Sequence, residues 1–235
     1  MLPRAVVFDF DGVIADSERL HWEAFAGALR PGGHPLDWET YVAQFLPFDD
    51  RSVFTRYFAP RGGLSESALD ALVSAKTALY QDAIHLGRLQ PFPDALALLR
   101  ACHAEGIPLA VCTSSSRHDV EDALQDFGVR PLLRTVVAAE DVSACKPDPE
   151  GYRLSIARLA AWASGLREEE AVAIEDSTGG AQAAKAAGLR LLGVSRVKTE
   201  AELRAAGADA VRPNLQGARP SDLLIWTLPT LPSTP

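Results

Sequence analysis

Cysteine is scarce in this sequence. The chain of 235 residues holds three: Cys102, Cys112 and Cys145. An odd number without paired spacing excludes a disulfide framework, and no Cys/His spacing suits zinc. The pattern is that of reduced, mostly buried thiols and points to a cytoplasmic location. Positive charge is also in deficit. A formal net charge of −8 excludes non-specific binding to nucleic acid or an anionic membrane, yet leaves room for a local cationic pocket that holds a small anion. Long apolar runs are missing too: no stretch reaches the roughly 18–20 apolar residues that span a bilayer. The N-terminus enters an apolar strand rather than a basic segment followed by an apolar run, so no signal peptide is expected. There is no internal repeat. The partner left by these exclusions is a small metabolite, and a monomer is expected.

What the chain does have is a core. Hydrophobic residues make up 47% and charged residues 23%, the proportions of an ordinary globular protein. Apolar runs of strand length, Ala5–Phe8, Leu109–Cys112, Thr135–Ala138, Ala171–Ile174 and Arg190–Val194, alternate with helical patterns over Pro93–Glu105, His118–Phe127, Pro149–Ala163 and Gly180–Ala187. That alternation predicts an α/β fold with a Rossmann-like, doubly wound parallel sheet. Residues 17–86 break the rhythm. They carry helical patterns over Glu18–Leu29, Trp38–Gln44, Arg51–Phe58 and Ser65–Ile84 with no convincing strand. About seventy residues is too long for a plain crossover, so 17–86 are expected to form an all-α cap domain inserted into a core of 1–16 and 87–235. The hinges are placed near Asp16–Ser17 and His85–Pro91. The tail from Pro213 is expected to dock in part through "DLLIWTL".

Four segments carry chemistry. The first is "VVFDFDGVIADS". In a strand, residues i and i+2 face the same way, so Asp9 and Asp11 emerge together where the apolar run stops. Two carboxylates so close repel unless a cation or a shared proton lies between them. Gly12 lets the chain turn sharply. The second is "AVCTSSSRHDV", a strand that ends in hydroxyls and enters a helix. Such an end holds phosphate, although Ser116 alone also reads as a helix cap. The third is Lys146 in "SACKPDPEGY", a point charge on a stiff, proline-bounded loop. The fourth is "AVAIEDSTGG", where Glu175 and Asp176 end a strand as oxygen ligands of the kind Mg²⁺ prefers. Together they point to phosphoryl transfer. Asp9 is placed as nucleophile and Asp11 as proton carrier, with Mg²⁺ between Asp9, Asp176 and Glu175, and with Lys146 and Ser114 on the phosphoryl group. No Ser-His-Asp arrangement competes.

The ordered set "DFDGVIADS", "TSSS", "CKPDP" and "IEDSTGG" resembles the haloacid dehalogenase superfamily of phosphotransferases. The resemblance implies Mg²⁺ dependence and an aspartyl-phosphate on Asp9. It adds the Asp11 backbone carbonyl to the metal ligands, and it puts the second-motif hydroxyl on Ser114 with the Ser115 amide beside it. Dehalogenase relatives usually lack the second aspartate, which is present here as Asp11. The helical insert resembles that of the beta-phosphoglucomutase and sugar phosphatase branch. By that likeness His21 in "DSERLH" and Lys76 in "SAKTALYQ" reach the active site. Arg51 in "QFLPFDDRSVF" stands near the mutase's phosphate-binding arginine, but the mutase-like glycine is missing and Asp49 and Asp50 intervene. The expected activity is therefore a phosphatase of a small, sugar-like phosphomonoester. A phosphomutase is the alternative, and a non-catalytic small-molecule-binding regulator the third reading.

Overall fold

The computed structural model describes residues 2–46 and 48–227. The sheet grows around β1 (Ala5–Phe8). All four of its residues are fully buried, because helices cover both faces; Val6 and Phe8 face one apolar layer and Ala5 and Val7 the other. Two-sided burial is why the run is continuously apolar instead of alternating. The remaining strands of this sheet are β4 (Leu109–Cys112), β5 (Thr135–Val137), β6 (Ala171–Glu175), β7 (Arg190–Val194) and β8 (Ala210–Arg212), which follow a separate pair, β2 (Ala15–Asp16) and β3 (Gln90–Pro91). The six-stranded sheet has the order β5-β4-β1-β6-β7-β8, and every pairing is parallel. The fold is the doubly wound α/β arrangement expected. Between β1 and its two neighbours the strand order reverses, and ligands bind at such a point beyond the carboxyl ends of the strands.

One face of the sheet is covered by α5 (Pro93–Ala104), α6 (Arg117–Asp126) and α10 (Pro220–Thr227). The other is covered by α7 (Glu150–Leu159), α8 (Thr178–Ala186) and α9 (Glu200–Ala205). Leu223 and Leu224 dock α10 into the first layer, as expected for the start of "DLLIWTL"; Leu228 and the residues beyond it lie outside the described residues. No helix among the described residues is long and apolar enough to cross a membrane.

Among the described residues, 18–85 carry helices joined by loops and no strand. They include α1 (Glu18–Leu29), α2 (Trp38–Gln44), α3 (Asp50–Phe58) and α4 (Glu66–His85). Side-chain caps from Asp37, Asp49 and Ser65 start α2, α3 and α4 by accepting from an amide three residues on. The four helices share an apolar cluster of their own, with Phe25, Tyr41, Phe54 and Tyr57 buried in it. The antiparallel pair β2–β3 ties together the two chain connections to this unit. The sequence reading contains no counterpart of β2, β3 or β8. Two-residue strands are too short for periodicity, Pro91 reads as a breaker, and β8 is a half-exposed edge strand. Thr178, not Gly180, begins α8, because the Ser177 side chain accepts from the Gly180 amide.

Candidate active site

Asp9 is the first residue beyond β1, and its amide donates to the Ile174 carbonyl of β6 (2.9 Å). This bond sets the Asp9 carboxylate beside the end of β6. Lys146 reaches it from the loop before α7. Its ammonium donates to Asp9 Oδ1 (2.7 Å), Glu175 Oε1 (2.6 Å) and the Cys112 carbonyl (2.9 Å). Burial works against a charged lysine here, but Asp9 and Glu175 outweigh it and raise the ammonium's pKa. Burial, then Glu175, pushes the Asp9 carboxyl up, with Lys146 opposing.

Asp11 is held by four donors. Oδ1 accepts from the Ser17 hydroxyl (2.6 Å) and lies 3.1 Å from His21 Nε2; Oδ2 accepts from the hydroxyls of Ser115 (2.6 Å) and Thr113 (3.2 Å). Burial alone would raise this carboxyl, yet His21, Ser115 and Ser17 carry it well below the usual range. The two neighbouring aspartates thus differ: Asp9 sits among acids and one lysine, and Asp11 among hydroxyls and an imidazole. Gly12, at φ +71°, turns the chain between them and Ala15. A Cβ there would stand 1.9 Å from Asp176 Oδ2, so no larger residue lets Asp176 approach.

Asp9, Glu175 and Asp176 are buried and offer oxygens within 4.8 Å of one another. Asp176 Oδ2 is buried without a hydrogen-bond partner, and burial together with Glu18, Asp9 and Glu175 pushes this carboxyl up. An orphaned carboxylate oxygen among acids is what a hard divalent cation satisfies, so these residues fit Mg²⁺. Glu175, expected as a ligand, belongs to this cluster, and its oxygens also accept several hydrogen bonds. Its Oε1 already accepts from Lys146 and from Tyr152 (2.7 Å), and its Oε2 from the Ser177 hydroxyl (3.1 Å) and the amides of Asp176 and Ser177.

The remaining expected residues divide. Ser114 and Ser115 both line the cavity over Asp9. The hydroxyls turned onto Asp11, however, belong to Thr113 and Ser115, because β4 ends at Cys112 and Thr113 is the first residue past it. The Ser115 amide, expected to face a phosphate, donates to Thr113 Oγ1 (3.0 Å). His21 and Lys76 are both brought in. His21 stacks on Tyr80 with ring centroids 4.1 Å apart, and its Nδ1 lies 3.0 Å from Lys76 Nζ. Lys76 in turn pairs with Asp50 (2.8 Å). Arg51 stands at the cavity wall, but its guanidinium pairs with Glu66 and Asp70 on the outside of the helical unit. Ser17, Glu18, Thr113 and Tyr152 belong to the site and were absent from the sequence reading. Ser17 and Thr113 stand inside the motifs "DFDGVIADS" and "TSSS", which is the signal for them; Tyr152 has none, since a tyrosine inside a helix reads as core. The cavity has a volume of about 390 Å³ and lies between the four helices and the ends of β1, β4 and β6.

This chain is 31% identical over 192 residues to validoxylamine A 7'-phosphate phosphatase of Streptomyces hygroscopicus subsp. limoneus, covering 82% of this chain and 85% of that protein. Among solved structures it is similar to CbbY from Rhodobacter sphaeroides in complex with phosphate, at 28% identity and a TM-score of 0.80, covering 94% of this chain and 99% of the other. A mutant of the same protein in complex with xylulose-(1,5)bisphosphate matches with a TM-score of 0.82 at the same identity and coverage. The family model for haloacid dehalogenase-like hydrolases matches residues 6–194, spanning β1 to β7 and every acidic residue of the site. On that match and that geometry, the chain belongs to the haloacid dehalogenase-like hydrolase family.

Proposed function

We propose that this hydrolase is a Mg²⁺-dependent phosphatase of a small, sugar-like phosphomonoester, working through a phosphoryl group carried on Asp9. The observation that carries the reading is the contrast between Asp9 and Asp11. One carboxylate faces Lys146 and the acidic cluster, and the other is wrapped in hydroxyls and an imidazole. A nucleophile and a proton carrier need unlike surroundings, and Lys146 together with a bound cation would offset the acids that push the Asp9 carboxyl up, leaving it ionised to attack. The phosphatase named among the relatives supports the same chemistry.

In this reading Asp9 attacks phosphorus; its oxygen–phosphorus bond forms as the bond to the substrate oxygen breaks. Asp11 delivers a proton to the departing oxygen and then removes one from the water that attacks the phosphoryl-aspartate. Ser17, His21, Thr113 and Ser115 hold Asp11 in line and favour its ionised form, which the second step requires; the proton for the first step arrives with the bound phosphoester, whose negative charge beside Asp11 favours the protonated carboxyl. Lys146 holds Asp9 and balances charge on the transferring group. Asp9, Asp176, Glu175 and the Asp11 carbonyl would hold Mg²⁺, which when bound supplies positive charge to the phosphoryl oxygens. Residues 17–86 serve as a cap over the cavity, and the core of 1–16 and 87–235 carries the chemistry. Phosphoryl return to a sugar, as in a mutase, uses the same core residues, so the cap decides between the two outcomes.

The direct test is release of inorganic phosphate from p-nitrophenyl phosphate and a panel of sugar monophosphates, with and without Mg²⁺. Mg²⁺-dependent turnover is expected. Binding without turnover of any phosphate ester would return the chain to the non-catalytic reading.

A further inference from the structure

The cavity over Asp9 is acidic beyond what phosphoryl transfer needs. Among the described residues along its wall, carboxylates outnumber lysines and arginines eight to three. Lys146 belongs to the phosphate end. The part of a substrate beyond its phosphate meets the helical unit instead, where Glu18, Asp49, Asp50, Arg51 and Lys76 line the wall. Each cation there is already matched. Lys76, with a side chain 4% exposed, is paired with Asp50 at 2.8 Å and touches His21. Arg51 is turned outward to Glu66 and Asp70.

Glu18 is the opposite case. It is 7% exposed and lines the cavity. Its carboxylate accepts from the Tyr41 hydroxyl at 3.3 Å and forms no ion pair among the described residues. A carboxylate offers several lone pairs, and a ligand that displaces water from the cavity without supplying donors leaves them unmet at a cost. A hydroxyl or an ammonium supplies such a donor, whereas an anion does not. The same holds if Glu18 carries a proton, since it then donates to a hydroxyl or ionises toward an ammonium. Phe25, Leu46 and Phe48 line the same cavity with apolar surface suited to the C–H face of a ring.

We infer that this cavity selects phosphomonoesters whose far end is hydroxylated and neutral or cationic, that Glu18 is the residue that recognises that end, and that a second anionic group is disfavoured. The inference rests on the phosphatase reading and narrows its substrate class. A second phosphate would have to part the buried Lys76 from Asp50 and leave that carboxylate unmatched among other acids. The exposed pairs of Arg51 part more easily, but one surface guanidinium does not offset the surrounding acids.

The test uses three esters on one ring: glucosamine 6-phosphate, glucose 6-phosphate and glucose 1,6-bisphosphate. Each is titrated as an inhibitor of p-nitrophenyl phosphate turnover, and its direct binding is measured by calorimetry. The bisphosphate is expected to bind about tenfold or more weakly than either monophosphate. Glu18→Gln should remove the advantage of the amine over the hydroxyl. Asp50→Asn, which frees Lys76, should narrow the gap to the bisphosphate. Equal or tighter binding of the bisphosphate by the unaltered protein overturns the inference, and so does a series that neither variant changes. If the aryl phosphate is not turned over, the phosphatase reading falls on its own, and calorimetry still decides the charge preference.

Discussion

Tyr152 donates its hydroxyl proton to Glu175 Oε1 across 2.7 Å, and both side chains are fully buried. The same oxygen accepts from Lys146, so a tyrosine inside α7 fixes the carboxylate that fixes the lysine. Close approach depends on Gly180, where a Cβ would stand 1.8 Å from that oxygen. Tyr152→Phe keeps the ring and removes the donor. Stability is expected to fall by about 1–3 kcal/mol, the range for a lost hydrogen bond to a buried charged group. Turnover should fall several-fold through kcat, with KM little changed. Urea unfolding and steady-state kinetics read the two effects, and a variant equal to the parent in both would show that the contact is idle.

Asp9→Asn should abolish turnover while the fold persists. The amide is nearly isosteric but a poor nucleophile, so a loss of roughly a thousandfold or more is expected. Activity within about tenfold of the parent, a difference of only ~1.4 kcal/mol in barrier, would mean that Asp9 does not carry the phosphoryl group.

Removal of divalent cations by chelation should silence the enzyme, and added Mg²⁺ should restore it. Asp176→Ala deletes the oxygen that lacks a partner and should weaken Mg²⁺ binding measured by calorimetry as well as activity. Full turnover in metal-free buffer contradicts this account.

Lys198 ties the core to the helical unit. It is 7% exposed and donates to the Val42 carbonyl at 2.6 Å, near the end of α2 where carbonyls lack helical partners. Its neighbour Val197 packs on the apolar cluster of the four helices. Lys198→Ala should loosen this attachment and raise KM several-fold, with a smaller effect on kcat. Limited proteolysis between α1 and α4 should be faster in the variant; unchanged KM and unchanged cleavage would rule the tie unimportant.

Asp141 offers a pH test away from the active site. Its carboxylate accepts from the Ala138 amide (2.9 Å) and from Arg158 (3.1 Å), and it also pairs with Arg117. Burial acts to raise this carboxyl, but those three partners outweigh it and hold the group below the usual aspartate range. A depressed acid contributes stability that is present above its unfolded pKa of about 4 and is lost as pH falls through the folded value. Asp141→Asn should therefore cost about 1–2 kcal/mol at pH 7, discounted for the part-exposed arginines. The cost should disappear under strongly acidic conditions. Denaturant curves across pH would expose a pH-independent difference, which would count against the charge as its cause.

Much of this protein is legible from residue order alone. Strands buried on both faces must be continuously apolar, so β1, β4, β6 and β7 stand out in the sequence to within a residue. Asp9 and Asp11 are identifiable without coordinates because an Asp-x-Asp-Gly run directly follows the apolar strand that ends at Phe8. The helices between 18 and 85 announce themselves by length and caps. The tertiary structure decided the rest, because it concerns partners far apart in the chain. That Thr113 and Ser115 turn onto Asp11 while Ser114 lines the cavity is decided by how β4 ends beside β1. Arg51 reads as a phosphate ligand, and only the fold shows it at the cavity wall and paired with Glu66 and Asp70 of the next helix. Glu175 reads as a metal ligand like Asp176, and only the fold adds that Lys146, Tyr152 and Ser177 hold it as well. A side chain's type sets what it can bind, but which of several partners it takes is set by the packing of elements that sequence spacing does not encode.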